Sequence, residues 1–270
     1  KIDYLGGSVK MENIDSESYS ARLTDKLPEE GYVLEVTENG VEATAGGERG
    51  AFYASQTLKQ LKQLNICPCV RIEDAPAFEY RAFMLDCARH MTTVENIKKL
   101  IDAAARVKLN TKHWHLTDDQ GWRVEIKKYP ILTTIGATAP NSFFTDMESC
   151  TQYWINKPYG PYFYTQEEIK DVVAYAKERH IEIIPEIDMP GHFVAAMAAY
   201  PEYSCTPNNP PTIWTTGGIS SNVLNVANPQ AVQFAKDILS ELIALFPYET
   251  IHIGGDEGPT TQWEDNELCK

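Results

Sequence analysis

The sequence has 270 residues, enough for one large domain or for a small domain followed by most of a larger one. Its 24 basic and 38 acidic residues give a formal net charge of −14, which disfavours nucleic-acid binding because phosphate contacts need clustered basic side chains. The sequence contains no run of about 18 apolar residues, so it predicts no membrane-spanning helix.

The chain begins at Lys1 without an initiator methionine, which indicates processing or trimming, so the lack of a visible signal peptide does not indicate a location. Cys67 and Cys69 have no second cysteine pair at zinc-ligand spacing, so a structural zinc site is not predicted. Disulfides and the redox compartment stay open for the six cysteines, which are Cys67, Cys69, Cys87, Cys150, Cys205 and Cys269.

Residues 1–75 are predicted to form a small α+β domain. Asn39 and Gly40 lie between two runs of alternating apolar residues, a pattern typical of a β-hairpin because both residue types tolerate positive φ. Apolar residues at helical spacing then predict a helix, namely Ala51, Ala54, Leu58, Leu61 and Leu64. Pro68 and Pro76 predict an irregular boundary over residues 67–78.

Residues 76–270 alternate between strand and helix patterns. Strands are predicted over residues 81–86, 110–116, 181–187 and 250–253. Helix starts are predicted at the Thr92–Glu95 and Thr165–Glu168 capping boxes and at Asn228-Pro229.

Each predicted strand is short and apolar, and ionisable residues follow it directly. This layout is typical of a (β/α)8 TIM-type barrel, in which ligand groups follow the C-terminal ends of the strands. A doubly wound sheet is disfavoured because no glycine-rich phosphate loop is present. The sequence therefore predicts an α/β fold whose larger domain holds the first four βα units of a barrel.

Asp256 and Glu257 follow the last predicted strand and two glycines, Gly254 and Gly255. A sharp turn after the strand can direct both carboxylates into one pocket, whereas neighbours within a strand point to opposite faces. Paired carboxylates suit general acid catalysis because crowding and burial can raise one pKa while the other group stays ionised. A solvated acidic turn is the alternative interpretation.

Three further segments carry polar groups at predicted strand ends. His113 and His115 lie on one face of their strand and could be metal ligands or buried, hydrogen-bonded packing residues. Trp122 could form an apolar wall for a sugar or pack in the core. His192 follows a Pro-Gly turn and could be functional or structural.

In this order, the segments resemble glycoside hydrolase family 20, the β-N-acetylhexosaminidases. The matching segments are residues 80–86 with 88–90, 113–123, 186–192 and 252–257. Gly-Gly-Asp-Glu also occurs in diguanylate cyclases, but phenylalanine follows it there, whereas Gly258 follows it here. The resemblance covers residues 76–270, and residues 1–75 resemble the end of the small domain that precedes the barrel in the family.

The resemblance implies retaining hydrolysis of terminal β-linked N-acetylglucosamine or N-acetylgalactosamine, with the substrate's own 2-acetamido group as the nucleophile. Glu257 would protonate the glycosidic oxygen and later activate water, and Asp256 would orient the acetamido N–H. The implied partners are glycans ending in β-linked N-acetylhexosamine. No metal or organic cofactor is implied, and the implied location is secreted or periplasmic.

Among the remaining implied site residues, Arg81, Asp118 and His192 belong to the substrate-binding group. Arg81 would hold hydroxyls of the terminal sugar, while Asp118 and His192 would form a pair that tunes Glu257. Supporting roles fall to His252, Trp122 and His115.

The chain departs from the family pattern in two ways. Ala82 replaces a frequent glycine, and the chain ends at Lys270, before the family's later tryptophans, an acetamide-binding tyrosine and a further sugar-binding aspartate. We therefore expect a longer chain, or self-association through the open barrel edge. Two alternative functions stay open: a non-catalytic sugar-binding fragment, and a metal-dependent barrel hydrolase using His113, His115, His192 and an aspartate.

Overall fold

The computed structural model describes residues 1–14, 19–146, 149 and 151–269, with the backbone alone for residues 143–146 and 152. Cys150 lies outside the described residues. The chain divides into two compact units. Unit 1 comprises Lys1–Phe83, Lys98–Thr111 and Ala176–Ile181, and unit 2 comprises Met84–Ile97, Lys112–Tyr175 and Glu182–Lys270.

Unit 1 contains a five-stranded sheet packed against a helix. Its elements are β1 (Ile2–Lys10), β2 (Ala21–Leu23), β3 (Tyr32–Thr37), β4 (Gly40–Ala45), α1 (Glu48–Leu61) and β5 (Ile66–Asp74). The strand order is β1-β5-β3-β4-β2, in which β2 runs parallel to β4 and the other pairs are antiparallel. Leu34, Val36, Ala54 and Leu58 are buried in one apolar cluster between the sheet and α1, so alternate strand positions and one helix face form the core.

The predicted hairpin is confirmed as β3–β4, although its turn consists of Glu38 and Asn39, and Gly40 begins β4 with φ +133°. The prediction of an irregular segment after α1 is wrong, because β5 runs through Pro68. Pro68 is tolerated because β3 pairs with β5 only from Val70 onward and the β1 register shifts beside it. A proline therefore costs β5 no ladder hydrogen bond to β3.

The later elements carry the alternating pattern. They are β6 (Ala82–Asp86), α2 (Val94–Arg106), β7 (Thr111–Asp118), β8 (Gly121–Trp122), α3 (Ile131–Thr134), β9 (Ser142–Asp146), β10 (Thr151–Ile155), α4 (Gln166–Lys177), β11 (Glu182–Ile187), α5 (Val194–Ala199), α6 (Pro229–Leu245) and α7 (Thr261–Asp265). β7 lies between β6 and β11 and also pairs with β8, and β9 and β10 form a separate antiparallel hairpin. Within the described residues, none of the helices has the length and apolar character needed to cross a membrane.

The α/β fold and three of the four predicted strands of the larger domain are confirmed as β6, β7 and β11. The fourth strand is reduced to a single parallel bridge between His252 and Glu186. The glycines after it, Gly254 and Gly255, adopt φ +64° and +98°, which ends the extended backbone.

The predicted helix starts are close to those observed. The Thr165–Glu168 box is present, since the amide of Glu168 donates to Thr165 Oγ1 at 3.2 Å and the amide of Thr165 donates to Glu168 Oε2 at 2.8 Å. Asn228 caps α6 as predicted by accepting from the Gln230 amide. At α2 the cap is Thr93 and not Thr92, because Thr93 Oγ1 accepts from the Asn96 amide.

Candidate active site

The candidate site lies in unit 2, where polar residues follow β7, β11 and the His252 bridge. Glycine at position 254 lets the backbone after the bridge pass close to Asp188, because a Cβ atom there would lie 1.8 Å from Asp188 Oδ1. Gly191 is constrained less strongly, since a Cβ atom there would lie 3.1 Å from the carbonyl oxygen of Asp256, a tight contact. The two loops, residues 188–192 and 254–258, therefore pack against each other through glycines.

Two site residues, His192 and Glu257, have left-handed backbone conformations, with φ of 48° and 45°. The other non-glycine residues described with positive φ are Lys108 and His180, which lie two residues after the end of α2 and three residues after the end of α4, in turns where this conformation is common. No helix end accounts for His192 or Glu257. Backbone strain of this kind is concentrated at functional sites, where surrounding contacts hold it.

The side chain of Glu257 is connected to Asp118 through His192. His192 Nε2 lies 3.0 Å from Glu257 Oε2, and His192 Nδ1 lies 3.2 Å from Asp118 Oδ1. A carboxylate oxygen of Asp256 lies within 4.8 Å of both His192 and Glu257. The structure thus brings together four residues singled out in the sequence, namely Asp118, His192, Asp256 and Glu257.

Asp118 is a buried carboxylate with several hydrogen-bond donors. Its Oδ2 accepts from His115 Nε2 and from Arg89 Nη2, both at 2.8 Å, and the amide of Asp119 donates to its Oδ1 at 2.7 Å. Burial raises the pKa of Asp118, but the hydrogen bonds from His115 and His192 and the charge of Arg89 outweigh it and lower the pKa to about 2. Asp118 is therefore ionised throughout the physiological range.

Glu186 forms the second centre of the cluster. Its Oε2 lies 2.5 Å from His115 Nδ1 and 2.6 Å from His113 Nε2, and its Oε1 lies 3.0 Å from His252 Nδ1. Burial lowers the pKa of His115, but its hydrogen bonds to Asp118 and Glu186 raise it to about 10. His113 and His115 thus both contact Glu186 at hydrogen-bond distance, with His115 buried and His113 partly buried.

Three groups of described residues place possible ligand atoms within 4.8 Å of one another: His113 with Glu186 and His252, Asp118 with Asp188 and His192, and His192 with Asp256 and Glu257. The ligand set of the metal-hydrolase alternative is not among them, because His113, His115 and His192 fall into no common group. The histidine nitrogens of these groups already face carboxylate oxygens at hydrogen-bond distance.

Comparison with known proteins decides the family. The model of the glycosyl hydrolase family 20 catalytic domain matches residues 78–270, and that of domain 2 of the same family matches residues 6–75. The chain belongs to glycosyl hydrolase family 20.

Individual relatives agree with this family. The chain is 44% identical to a β-hexosaminidase of Porphyromonas gingivalis, over 90% of this chain and 31% of the relative. A solved β-N-acetylhexosaminidase superposes with TM-score 0.89 at 35% identity, covering all of this chain and 55% of that one. A family 20 exo-β-N-acetylglucosaminidase from Vibrio harveyi, solved in complex with N-acetylglucosamine, gives TM-score 0.79 at 39% identity. That superposition covers 92% of this chain and 39% of the other. The chain thus spans between 31% and 55% of the length of these relatives.

Within this family 20 chain, Arg81 is not brought together with the cluster. It belongs to unit 1, where its guanidinium binds Glu30 at 3.0 Å and Tyr53 Oη at 2.9 Å. It also donates to the carbonyl oxygens of Phe78 and Lys108. Its geometry is that of a structural residue, because its side chain is only 13% exposed and six hydrogen bonds occupy its guanidinium group.

Arg89 is the arginine that reaches the cluster, and residue-by-residue reasoning missed it. Its guanidinium contacts Asp118, Asp86 at 2.7 Å and Gln120 at 2.9 Å. The position of Arg89 along the chain indicates a site residue, because it follows the C-terminal end of β6, whereas Arg81 precedes the first residue of that strand. Arg89 also borders a cavity of about 270 Å³, whose other lining residues include Gln120, Asn141, Tyr159, Trp214 and Thr216.

Two further residues of this region, Trp122 and Asp188, are buried. Trp122 is fully buried, donates from Nε1 to the carbonyl oxygen of Val124 and packs edge-on against Phe193, so it is a core residue and not a sugar wall. Asp188 was not assigned a role, yet burial raises its pKa to about 7, with the nearby charge of Asp256 adding to the effect and the Gly255 amide opposing it.

Proposed function

We propose that this protein hydrolyses terminal β-linked N-acetylhexosamine from glycans, with retention of configuration and with the substrate's acetamido group as the nucleophile. The observation that carries the proposal is the exposed Glu257 carboxyl group, hydrogen-bonded to His192 with Asp256 alongside. Family membership supports the substrate class, since a relative was solved with N-acetylglucosamine bound.

Glu257 is the proposed general acid. Its side chain is 48% exposed, so a glycosidic oxygen can reach it, and His192 Nε2 shares a proton with it at 3.0 Å. Protonation of the leaving oxygen by Glu257 breaks the glycosidic bond as the acetamido oxygen attacks the anomeric carbon. Glu257 then takes a proton from the water that opens the cyclic intermediate.

Asp256 is the proposed partner of the acetamido group. Its exposed carboxylate can accept a hydrogen bond from the acetamido N–H and stabilise the positive charge that develops on the ring formed by the attack. The two adjacent carboxyl groups thereby divide the work, because one moves a proton while the other stays ionised.

Arg89 is the proposed ligand of the sugar hydroxyls, in place of Arg81. Its side chain is 42% exposed, its guanidinium is held by Asp86 and Asp118, and the residue borders the 270 Å³ cavity. Charged hydrogen bonds from a guanidinium that is already positioned stabilise a bound sugar at low entropic cost.

Glu257→Gln tests the acid. It should lower kcat on substrates with poor leaving groups by roughly 10²- to 10⁴-fold, the range for losing a general acid, and lower it much less on activated aryl glycosides. The assay is hydrolysis of both substrate types by the purified protein. Equal losses on both types would remove Glu257 from this role. A wild-type protein that binds N-acetylhexosamine without hydrolysing it would favour the sugar-binding alternative.

We also propose that β6, β7, β11 and the His252 bridge belong to a (β/α)8 barrel, and that the domain boundary lies near residue 76. The parallel His252–Glu186 bridge and the backbone bond from Cys87 to His115 fit such a barrel. A secreted or periplasmic location and self-association stay predictions.

A further inference from the structure

Glu186 is a buried carboxylate, 5% exposed, in contact with three imidazoles. His113 and His252 use one ring nitrogen each, but His115 places both nitrogens against carboxylates: Nδ1 lies 2.5 Å from Glu186 and Nε2 lies 2.8 Å from Asp118. A neutral imidazole has one donor and one acceptor nitrogen, whereas carboxylates only accept. His115 therefore donates from both nitrogens and is a cation.

The charge of His115 acts on Asp118, which in turn acts on the proton between His192 and Glu257. That proton has two positions, on His192 as an imidazolium or on Glu257 as a carboxylic acid, and acid catalysis needs the second. The negative charge of Asp118, 3.2 Å from His192 Nδ1, favours the first position. A cation 2.8 Å from the other carboxylate oxygen of Asp118 offsets that attraction.

Other charges surround the same groups and define what His115 adds. Arg89 contacts Asp118, and Asp119 lies 3.3 Å from His192 Nδ1. A carboxylate oxygen of Asp188 lies within 4.8 Å of a carboxylate oxygen of Asp118 and of a ring nitrogen of His192. The contacts of Arg89, Asp119 and Asp188 with this pair do not run through Glu186. Among the described groups that contact Asp118 or His192, the His115 charge is the one that depends on Glu186, because Glu186 is the second of the two carboxylates that require it.

We propose that Glu186 is a positioning residue that keeps His115 cationic and thereby moves the shared proton from His192 towards Glu257. The route is Glu186 to His115 to Asp118 to His192 to Glu257, in which each step is a hydrogen bond of 2.5 to 3.2 Å. The inference rests on the proposed function, because it specifies how the acid of that reaction is kept protonated.

Glu186→Gln tests the route. Glutamine keeps the size and can donate to His115 Nδ1, so His115 can become neutral while its bond to Asp118 remains. We expect kcat on poor leaving groups to fall at least about tenfold more than on activated aryl glycosides, since one pKa unit of proton preference is tenfold in population. The alkaline limb of the pH profile should move to higher pH, because the nearest lost charge is positive and the shared proton is held more tightly.

His113→Gln is the matched control. Its amide can still donate to Glu186, and it leaves the Glu186–His115–Asp118 link intact, so leaving-group dependence and the alkaline limb should stay as in the wild type. The same selectivity in His113→Gln would overturn the inference, and so would an equal loss on both substrates in Glu186→Gln.

His115→Gln covers the case in which Glu186→Gln fails to fold, as judged by circular dichroism and thermal unfolding. It removes the same charge and should show the same selectivity, and the double variant should be non-additive because both residues act through one unit. Additive effects would refute the route. Failure of the proposed function is distinct, since the wild-type protein would then not hydrolyse either substrate.

Discussion

Lys112 offers a test of the fold that does not depend on the reaction. It lies on β7 with its side chain fully buried, and its Nζ atom has no hydrogen-bond partner among the described residues. Nζ lies over the ring of Trp114, 4.2 Å from its centroid. Burial lowers the pKa of Lys112 to about 7, with Cys87 opposing the shift. We predict that Lys112→Met makes the protein more stable.

The magnitude follows from the pKa difference between the folded and unfolded states. A lysine titrates near 10.4 when unfolded, so a folded pKa of about 7 costs roughly 4 kcal/mol at pH 7 and below, at 1.36 kcal/mol per unit. Methionine has a similar volume and no charge to desolvate, so we expect a gain of about 2–4 kcal/mol at pH 6. The sign requires this gain to shrink between pH 7 and 10, because the folded lysine is then neutral and giving up its proton costs less free energy as the pH approaches the unfolded pKa of about 10.4.

Urea unfolding of the wild type and of Lys112→Met at pH 6 and pH 9.5 measures both the gain and its pH dependence. Lys236→Met is the control, since Lys236 is exposed on α6 and the change should stay within about 0.5 kcal/mol. A destabilised variant, or a gain that is equal at both pH values, would contradict the assignment of Lys112 as a buried, unpaired amine.

Two further predictions concern the site and its surroundings. Arg89→Ala should raise KM for the sugar by roughly 10- to 100-fold with the fold intact, whereas Arg81→Ala should lower the thermal midpoint with KM unchanged; the opposite pattern would return the sugar-binding role to Arg81. Asp188→Asn should stabilise the protein at pH 8 by at most about 4 kcal/mol and have little effect at pH 4. Because the pKa of Asp188 is raised, the ionised aspartate destabilises the folded wild type above about pH 3.9, and this cost is complete above about pH 7. Equal unfolding free energies of the wild type and Asp188→Asn at pH 8 would contradict the burial argument.

The elements that follow from local pattern were predictable, and those that depend on a partner strand were not. The hairpin of β3 and β4 and the alternation of β6, α2 and β7 follow from residue spacing alone. Proline in β5 is compatible with a strand because the pairing with the neighbouring strand β3 ends before Pro68. The sequence of β5 itself does not indicate where that pairing ends. The bridge at His252 is short because the two glycines that serve the site also end the strand.

The candidate site was predictable where chemistry and strand ends coincide. Asp256, Glu257, His192 and Asp118 each follow or end a predicted strand or bridge, and the structure brings them together. The assignment of Arg81 ignored that same rule, since an arginine before a strand lies at the opposite end from one after it.

The role of Glu186 could not be foreseen from the sequence, because it depends on three imidazoles from two different segments meeting one carboxylate. His113 and His115 come from β7, while His252 comes from the bridge after α6. Neither the spacing of the two β7 histidines nor the single carboxylate on β11 indicates that contact. It follows from the pairing of β11 with β7 in the sheet and from the bridge between Glu186 and His252.

The central claim is that the acetamido group of the substrate attacks the anomeric carbon while Asp256 stabilises the ring that forms. The most direct measurement is the inhibition constant of an N-acetylglucosamine thiazoline, a stable mimic of that ring, compared with N-acetylglucosamine itself. The account predicts that the thiazoline binds the wild type at least 10²-fold more tightly and loses most of that advantage in Asp256→Asn, because transition-state-like charge is what Asp256 recognises. A thiazoline that binds the wild type no better than N-acetylglucosamine would contradict substrate-assisted catalysis in this protein.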